Sequence, residues 1–231
     1  MLERLKQEVM QANMDLAKYG LVVLTWGNAS GIDREKDLVV IKPSGVDYNK
    51  LSIEDMVVVD LNGKVVEGDK RPSSDTPTHL ELYKAFPQIC GITHTHSNYA
   101  TMFAQACKEI ICLGTTHADH FYGNIPVTRF LSNEEVEQGY EVNAGKVIVE
   151  KFQGIDPVSM PGILVAGHAP FTFGKNASES VRNSLILERI AEMAYGTMQI
   201  SGSVEKLPDY ISEKHFQRKH GPNSYYGQNK K

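Results

Sequence analysis

Cysteine is scarce in this 231-residue chain: Cys90, Cys107 and Cys112 are the only three, and no two of them form a CxxC pair. An odd, dispersed set argues against both a disulfide framework and a thiolate zinc site, and leaves reduced thiols as the expectation. Long apolar runs are lacking too. No stretch approaches the roughly 18–20 apolar residues that span a bilayer. The opening segment, residues 1–8, mixes charged with apolar residues instead of building a signal-peptide core. A soluble, cytoplasmic protein with no membrane partner is the expectation. Neither charge sign dominates: the formal net charge is -4, and the only basic cluster is Arg218-Lys219-His220. Nothing in that balance favours nucleic acid as a partner, and an anionic small molecule would need local cations to hold it. Also absent are GxGxxG and P-loop sequences, internal repeats, low-complexity tracts and linkers.

What remains is an ordinary globular composition, 41% hydrophobic and 23% charged, long enough to bury a sizeable core. A single domain over residues 1–231 is expected. Leu2, Leu5, Val9 and Leu16 recur at helical spacing, and Gly20 follows as a stop. Short β-branched runs at 38–41, 56–59 and 64–66 read as strands, each bounded by turn-forming residues. The pattern turns helical from Pro77 to Phe86, with Ser74 or Asp75 as cap. Residues 92–96 and 163–165 read as strands, and 98–107, 176–198 and 208–219 as helices. Strands lie next to strands as often as they alternate with helices. This favours an α/β layered fold with a largely antiparallel or mixed sheet over a doubly wound nucleotide binder.

The strongest chemical signal is His94-Thr95-His96. On a strand, residues two apart share a face, so both imidazoles converge on one point, as nitrogen ligands of zinc or a similar divalent ion do. Two partly exposed strand histidines are the plain alternative. His168 strengthens the metal reading, because it follows the apolar run Leu164-Val165-Ala166 where a buried strand ends. Asp75 adds a carboxylate in a turn that opens a helix, with simple capping as its alternative role. Three histidines and one acid suit hydrolytic or lyase-type Lewis-acid chemistry. Two turns, Thr25-Trp26-Gly27-Asn28 and Lys42-Pro43-Ser44-Gly45, together with Ser73-Ser74, could offer hydroxyls, backbone N–H groups and the Lys42 charge to a phosphate. The same residues also make ordinary turns. Trp26 reads as packing, and His79, His117, His120 and His220 as structural residues or outer supports of the site rather than ligands.

These runs, with Pro72-Ser73-Ser74-Asp75-Thr76-Pro77-Thr78-His79, Gly114-Thr115-Thr116-His117-Ala118-Asp119 and the segment from Arg218 to Gln228, are collinear with one known family. The chain closely resembles the L-ribulose-5-phosphate 4-epimerases of the class II aldolase and epimerase superfamily, over essentially its whole length. One departure is Ala169 where the family often has glycine, in His168-Ala169-Pro170-Phe171; the histidine itself is retained. The resemblance implies a single three-layer αβα domain with a central, mainly antiparallel β-sheet. It implies a homotetramer with active sites between subunits, acting on a small phosphorylated pentulose in arabinose or related pentose catabolism. By the same likeness, His94, His96, His168 and Asp75 bind Zn2+, with Mn2+ or Co2+ as substitutes. Gly27, Asn28, Lys42, Ser44, Gly45, Ser73 and Ser74 contact substrate, and Asp119 and Tyr226 form an acid–base pair supplied by the adjacent subunit. His215 and Arg218, three apart on the last helix, join them from that neighbour.

The reaction so implied inverts C4 of a ketose, whose hydrogen is not next to the carbonyl, by breaking and remaking the C3–C4 bond. Two acid–base groups are then needed, one for each face of the aldehyde fragment. An aldolase that releases its aldehyde shares the metal and phosphate sites and is the nearest alternative. A zinc-stabilised binding protein without turnover is a more distant one, with no use for Asp119, Tyr226 or Lys42.

Overall fold

The computed structural model describes residues 2–225. Seven strands, β1 (Asn28–Asp33), β2 (Leu38–Ile41), β3 (Val57–Asp60), β4 (Val65–Glu67), β5 (Gly91–His94), β6 (Gly162–Leu164) and β7 (Pro170–Gly174), form one sheet. Its order is β4-β3-β2-β1-β5-β7-β6, and every pairing between neighbours is antiparallel. Seven α-helices among the described residues accompany it: α1 (Glu3–Lys18), α2 (Thr76–Ala85), α3 (Asn98–Gln105), α4 (Thr115–Ala118), α5 (Asn133–Lys151), α6 (Ala177–Ser201) and α7 (Asp209–His220).

Strand alternation sorts the core onto two faces. Val40 and Val58 join Val9, Ala12 and Leu16 of α1 and Val181 of α6 on one side. Val39, Val57 and Val59 join Leu82, Tyr83 and Ile148, from α2 and α5, on the other. The same alternation runs through β5. Ile92 packs with the second group, while Thr93 turns to α6 and shares a hydrogen bond with Ser180 at 2.7 Å. The result is helices on both faces of an antiparallel sheet, the three-layer arrangement expected. Close approach on the α6 side demands glycine at position 91, where an added Cβ would stand 2.1 Å from the Asn176 carbonyl oxygen.

The helices foreseen at 2–16, 77–86, 98–107, 176–198 and 208–219 are all present with small shifts of their ends. Four elements escape pattern reading, the one-turn α4 among them. β1 has the sequence Asn-Ala-Ser-Gly-Ile-Asp, with hardly a β-branched residue; it is held by two antiparallel neighbours instead. β7 begins at a proline. α5 breaks at Gly139, which puts the apolar residues before and after it out of phase. One expectation needs correcting: β5 ends at His94, and Thr95–Ser97 is not strand. His94 and His96 meet because the chain stays extended into the N-cap of α3 at Ser97 (φ -61, ψ 141), not because both belong to a strand. All three cysteines are free thiols.

Candidate active site and metal centre

The central strands β1, β5 and β7 bring the site together. Register sets Asn28 opposite His94, and His94 opposite Phe171. His168 comes from the turn between β6 and β7, where Gly167 takes φ +70 beneath the Phe130 ring. In that turn the Val165 N–H donates to the Ala169 carbonyl and the His168 N–H to the Val165 carbonyl. The three imidazoles are mutual neighbours, with ring centroids 4.9 Å (His94–His96), 4.9 Å (His94–His168) and 5.0 Å (His96–His168) apart. One ligand nitrogen from each lies within 4.8 Å of the other two.

Three observations show that this cluster suits a divalent ion. The His94 ring stacks on Phe171 at 4.3 Å, and its Nδ1 lies 3.0 Å from the Pro170 carbonyl oxygen. A carbonyl only accepts, so Nδ1 carries the proton and the Nε2 lone pair faces the cluster, the usual outer support of a metal-binding histidine. His168 Nδ1 is buried without a hydrogen-bond partner among the described residues, which is costly for a polar atom with no further use. Finally, burial and the neighbouring His94 and His96 lower the His168 pKa to about 4 against the pull of Asp75, and burial followed by His94 also lowers that of His96. Both are neutral near pH 7, the form that ligates.

Asp75 sits at the N-cap of α2 yet makes no side-chain capping bond. Its Oδ2 accepts instead from Asn28 Nδ2 at 2.6 Å, and that amide also donates to Ser73 Oγ at 3.0 Å. Burial works to raise the Asp75 pKa, but His94, His79, Asn28 and His168 together hold it below the ordinary carboxylate value. The carboxylate therefore lines the cleft beside the histidines, while among the described residues the set with mutually close ligand atoms consists of the three histidines.

The cleft has a volume of about 570 Å³. Its walls include Gly27, Asn28, Lys42, Ser44, Gly45, Ser73 and Ser74, so all the substrate contacts expected from the first half of the chain come together. Gly27 is required by its fold: φ is +77, and a Cβ would lie 2.8 Å from the His94 carbonyl oxygen. The backbone N–H groups of Ser44 and Ser73 already donate to the Arg71 and Lys42 carbonyls, which leaves these serines their hydroxyls. Lys42 is 1% exposed. Its ammonium lies 4.7 Å over the Tyr48 ring, and burial lowers its pKa to about 8 despite Asp47. A buried cation with an aromatic face and, among the described residues, no carboxylate in ion-pair contact is a ready anion partner.

Sequence reading missed four contributors. Trp26 is 54% exposed and lines the cleft, its ring 6.2 Å from His96, so it is not a packing residue. Tyr48 donates to the Trp26 and Gly27 carbonyls at 2.7 and 2.8 Å. Tyr140 and Glu141 enter from α5. Only the glycine just before Tyr140 marked that stretch in the sequence. His79 is structural, as expected: buried, with Nδ1 2.7 Å from Ser30 Oγ.

The remaining expected residues lie elsewhere on the chain. Asp119, at the end of α4, accepts from Arg218 Nε at 2.8 Å, Arg218 Nη2 at 2.5 Å and His215 Nδ1 at 3.1 Å, so the α7 pair does share one face. Lys219 Nζ is 3.6 Å away, and His220 Nε2 donates to the Asp119 carbonyl at 2.9 Å. Burial pushes the Asp119 carboxyl up, but the Arg218 and His215 hydrogen bonds and the Lys219 and Arg218 charges outweigh it and keep the group ionised. None of Asp119, His215 and Arg218 lines the histidine cleft. Tyr226 lies outside the described residues.

Fold and sequence together define the class. Residues 7–195 match the class II aldolase and adducin N-terminal domain, and the chain belongs to that family. The family depends on a divalent metal, for which the three histidines supply a fitting site. Among its relatives, the chain is 56% identical to L-ribulose-5-phosphate 4-epimerase UlaF of Salmonella paratyphi C, over 227 residues covering 98% of this chain and 100% of that one. The UlaF of Salmonella typhi matches to the same extent. Among solved structures, L-fuculose 1-phosphate aldolase superposes with a TM-score of 0.78 at 29% identity, covering 93% of this chain and 95% of the other.

Proposed function

We propose that this chain is an L-ribulose-5-phosphate 4-epimerase, interconverting L-ribulose 5-phosphate and D-xylulose 5-phosphate. The observation that carries the reading is the cleft itself: three converging imidazoles share one cavity with the buried cation Lys42 and the Ser44, Ser73 and Ser74 hydroxyls. A molecule bearing a phosphate at one end and metal-binding oxygens at the other fits that division. The full-length match to UlaF selects the epimerase over an aldolase that releases its product.

His94, His96 and His168 hold the divalent ion, with Asp75 beside them, and three imidazoles favour zinc while also accepting manganese or cobalt. The bound ion supplies Lewis-acid stabilisation of negative charge on the keto fragment's oxygens. Lys42 and the serine hydroxyls bind the phosphate and hold the C4–C5 fragment, glycolaldehyde phosphate, while it is detached. A base takes the C4 hydroxyl proton; the C3–C4 bond pair moves toward the C2 carbonyl and C4 becomes an aldehyde. Rotation of that aldehyde presents its other face, C3 adds back, and a second group returns a proton to the C4 oxygen. The two groups stand on opposite faces, a role we assign to Asp119 and Tyr226. Asp119 is suited to it by being held ionised through Arg218 and His215. Since Asp119 and its partners lie apart from the histidine cleft of their own chain, the reading requires a neighbouring copy to bring them to it. We accordingly propose one domain per chain, assembled as a homotetramer with interfacial active sites. A cytoplasmic setting suits such metabolism, and no helix of the described residues is long and apolar enough to cross a membrane. Conversion of L-ribulose 5-phosphate by the metal-loaded protein tests the proposal, and a protein that yields only free glycolaldehyde phosphate would be an aldolase instead.

A further inference from the structure

α5 is interrupted. At Gly139 the backbone leaves the helical region for φ 136, ψ 101, a conformation that L side chains rarely adopt. Such a break strands carbonyl groups that a continuous helix satisfies. One side chain recovers two of them: the buried Asn143 amide donates to the Glu135 carbonyl at 2.7 Å and to the Gly139 carbonyl at 3.0 Å. Past the break the chain is fastened to α2. The Thr78 hydroxyl donates to the Glu141 carbonyl at 2.6 Å, and at Gly145 an added Cβ would stand 2.7 Å from the Glu81 Cβ.

The effect of this break is to set Tyr140 in the wall of the cleft, its ring 5.8 Å from that of His168 at 62°. The Tyr140 hydroxyl makes no hydrogen bond among the described residues. A tyrosine phenol is protonated at neutral pH, so this hydroxyl is able to donate. Lys42 and the serines are suited to phosphate, whereas the oxygens of the sugar's other end lie where the histidines are and need donors of their own.

We infer that Tyr140 is a substrate-contacting residue, donating a hydrogen bond to an oxygen at the unphosphorylated, keto end of the bound sugar phosphate, and that Gly139 and Asn143 position it. This rests on the sugar-phosphate reading of the cleft, but the test does not require turnover. Binding of L-ribulose 5-phosphate and of inorganic phosphate to metal-loaded protein is measured by calorimetry for the wild type, Tyr140→Phe, Gly139→Ala and the double variant. Tyr140→Phe should raise the Kd for the sugar phosphate roughly fivefold to tenfold, the size of one neutral hydrogen bond. It should leave metal content and the Kd for inorganic phosphate unchanged. Gly139→Ala should weaken sugar-phosphate binding at least as much, and Tyr140→Phe added to it should cost nothing further, since a displaced tyrosine has no bond left to lose. Unchanged sugar-phosphate binding in Tyr140→Phe, or an equal weakening toward inorganic phosphate, would overturn the inference. A wild type that binds the sugar phosphate in this way but fails to convert it would sink the epimerase reading alone.

Discussion

Replacing Tyr48 with phenylalanine removes one oxygen atom from behind the Trp26–Gly27 turn, and the structure says what that atom does. Its hydroxyl shares a proton between the Trp26 and Gly27 carbonyls, at 2.7 and 2.8 Å. Burial, helped by the Asp75 charge, raises its pKa and keeps it a donor at any working pH. Gly27 in turn lies directly against β5, with no room for a Cβ beside the His94 carbonyl. Tyr48 therefore holds in place the turn that carries Asn28, where Gly27 packs against the end of β5 at His94. Losing the bond costs about 0.5–1.5 kcal/mol, and a carbonyl left without a donor raises the total to about 1–3 kcal/mol. The ring under Lys42 survives in Tyr48→Phe but not in Tyr48→Leu, which should lose a further 0.5–2 kcal/mol or so of cation–π attraction. Urea unfolding of the metal-loaded protein measures the stability, and steady-state kinetics with L-ribulose 5-phosphate measures the site. Tyr48→Phe should lose stability in the stated range and raise KM more than it lowers kcat, because Tyr48 stands beside Lys42, to which the proposal assigns the phosphate, and not at the breaking bond. Tyr48→Leu should be worse on both counts. A phenylalanine variant as stable as the wild type, with the same KM, would refute the argument.

Three other outcomes follow from the same geometry. Lys42 titrates with a pKa of about 8, so its charge is complete below that pH and fades above it; kcat/KM for the phosphorylated substrate should fall as pH rises through about 8, and Lys42→Met should remove that limb along with most of the affinity. The Glu188 carboxylate accepts from the Tyr99 and Ala100 N–H groups at 2.9 and 3.0 Å, capping α3 where Ser97 does not; Glu188→Ala should lower stability by about 2–3 kcal/mol in urea unfolding, with metal content unchanged. Stripping the metal with a chelator should abolish turnover and lower the melting temperature, since an ion that binds only the folded state stabilises it; readdition of Zn2+, Mn2+ or Co2+ should restore both, and His168→Ala should prevent the restoration.

Much of this architecture was legible in the sequence, and the exceptions have physical causes. The apolar spacing of α1 and the β-branched runs of β2 and β3 report burial on a single face or on both, which is what periodicity records. β1 could not be read that way, because Asn28–Asp33 is a strand by virtue of two hydrogen-bonded neighbours and a close α1, not by its own propensities. The histidine pair was found, although the reason was partly mistaken: the strand ends at His94, and the extended cap of α3 carries His96 round to it. His168 needed no periodicity, only its place after a buried strand. Tyr140 and Glu141 were invisible because a helix break at one glycine, patched by Asn143, decides where they point. Trp26 was misjudged because a large aromatic is ordinarily buried, whereas here it lines an open cleft. The separation of Asp119, His215 and Arg218 from the histidines is a fact of three dimensions that collinear motifs do not carry.

The central claim is C4 epimerisation by cleavage and rejoining of one carbon–carbon bond, and product analysis tests it most directly. Metal-loaded protein incubated with L-ribulose 5-phosphate should yield D-xylulose 5-phosphate as the main product, with no more than traces of free glycolaldehyde phosphate. Absence of conversion, or free glycolaldehyde phosphate as the main product, would contradict it.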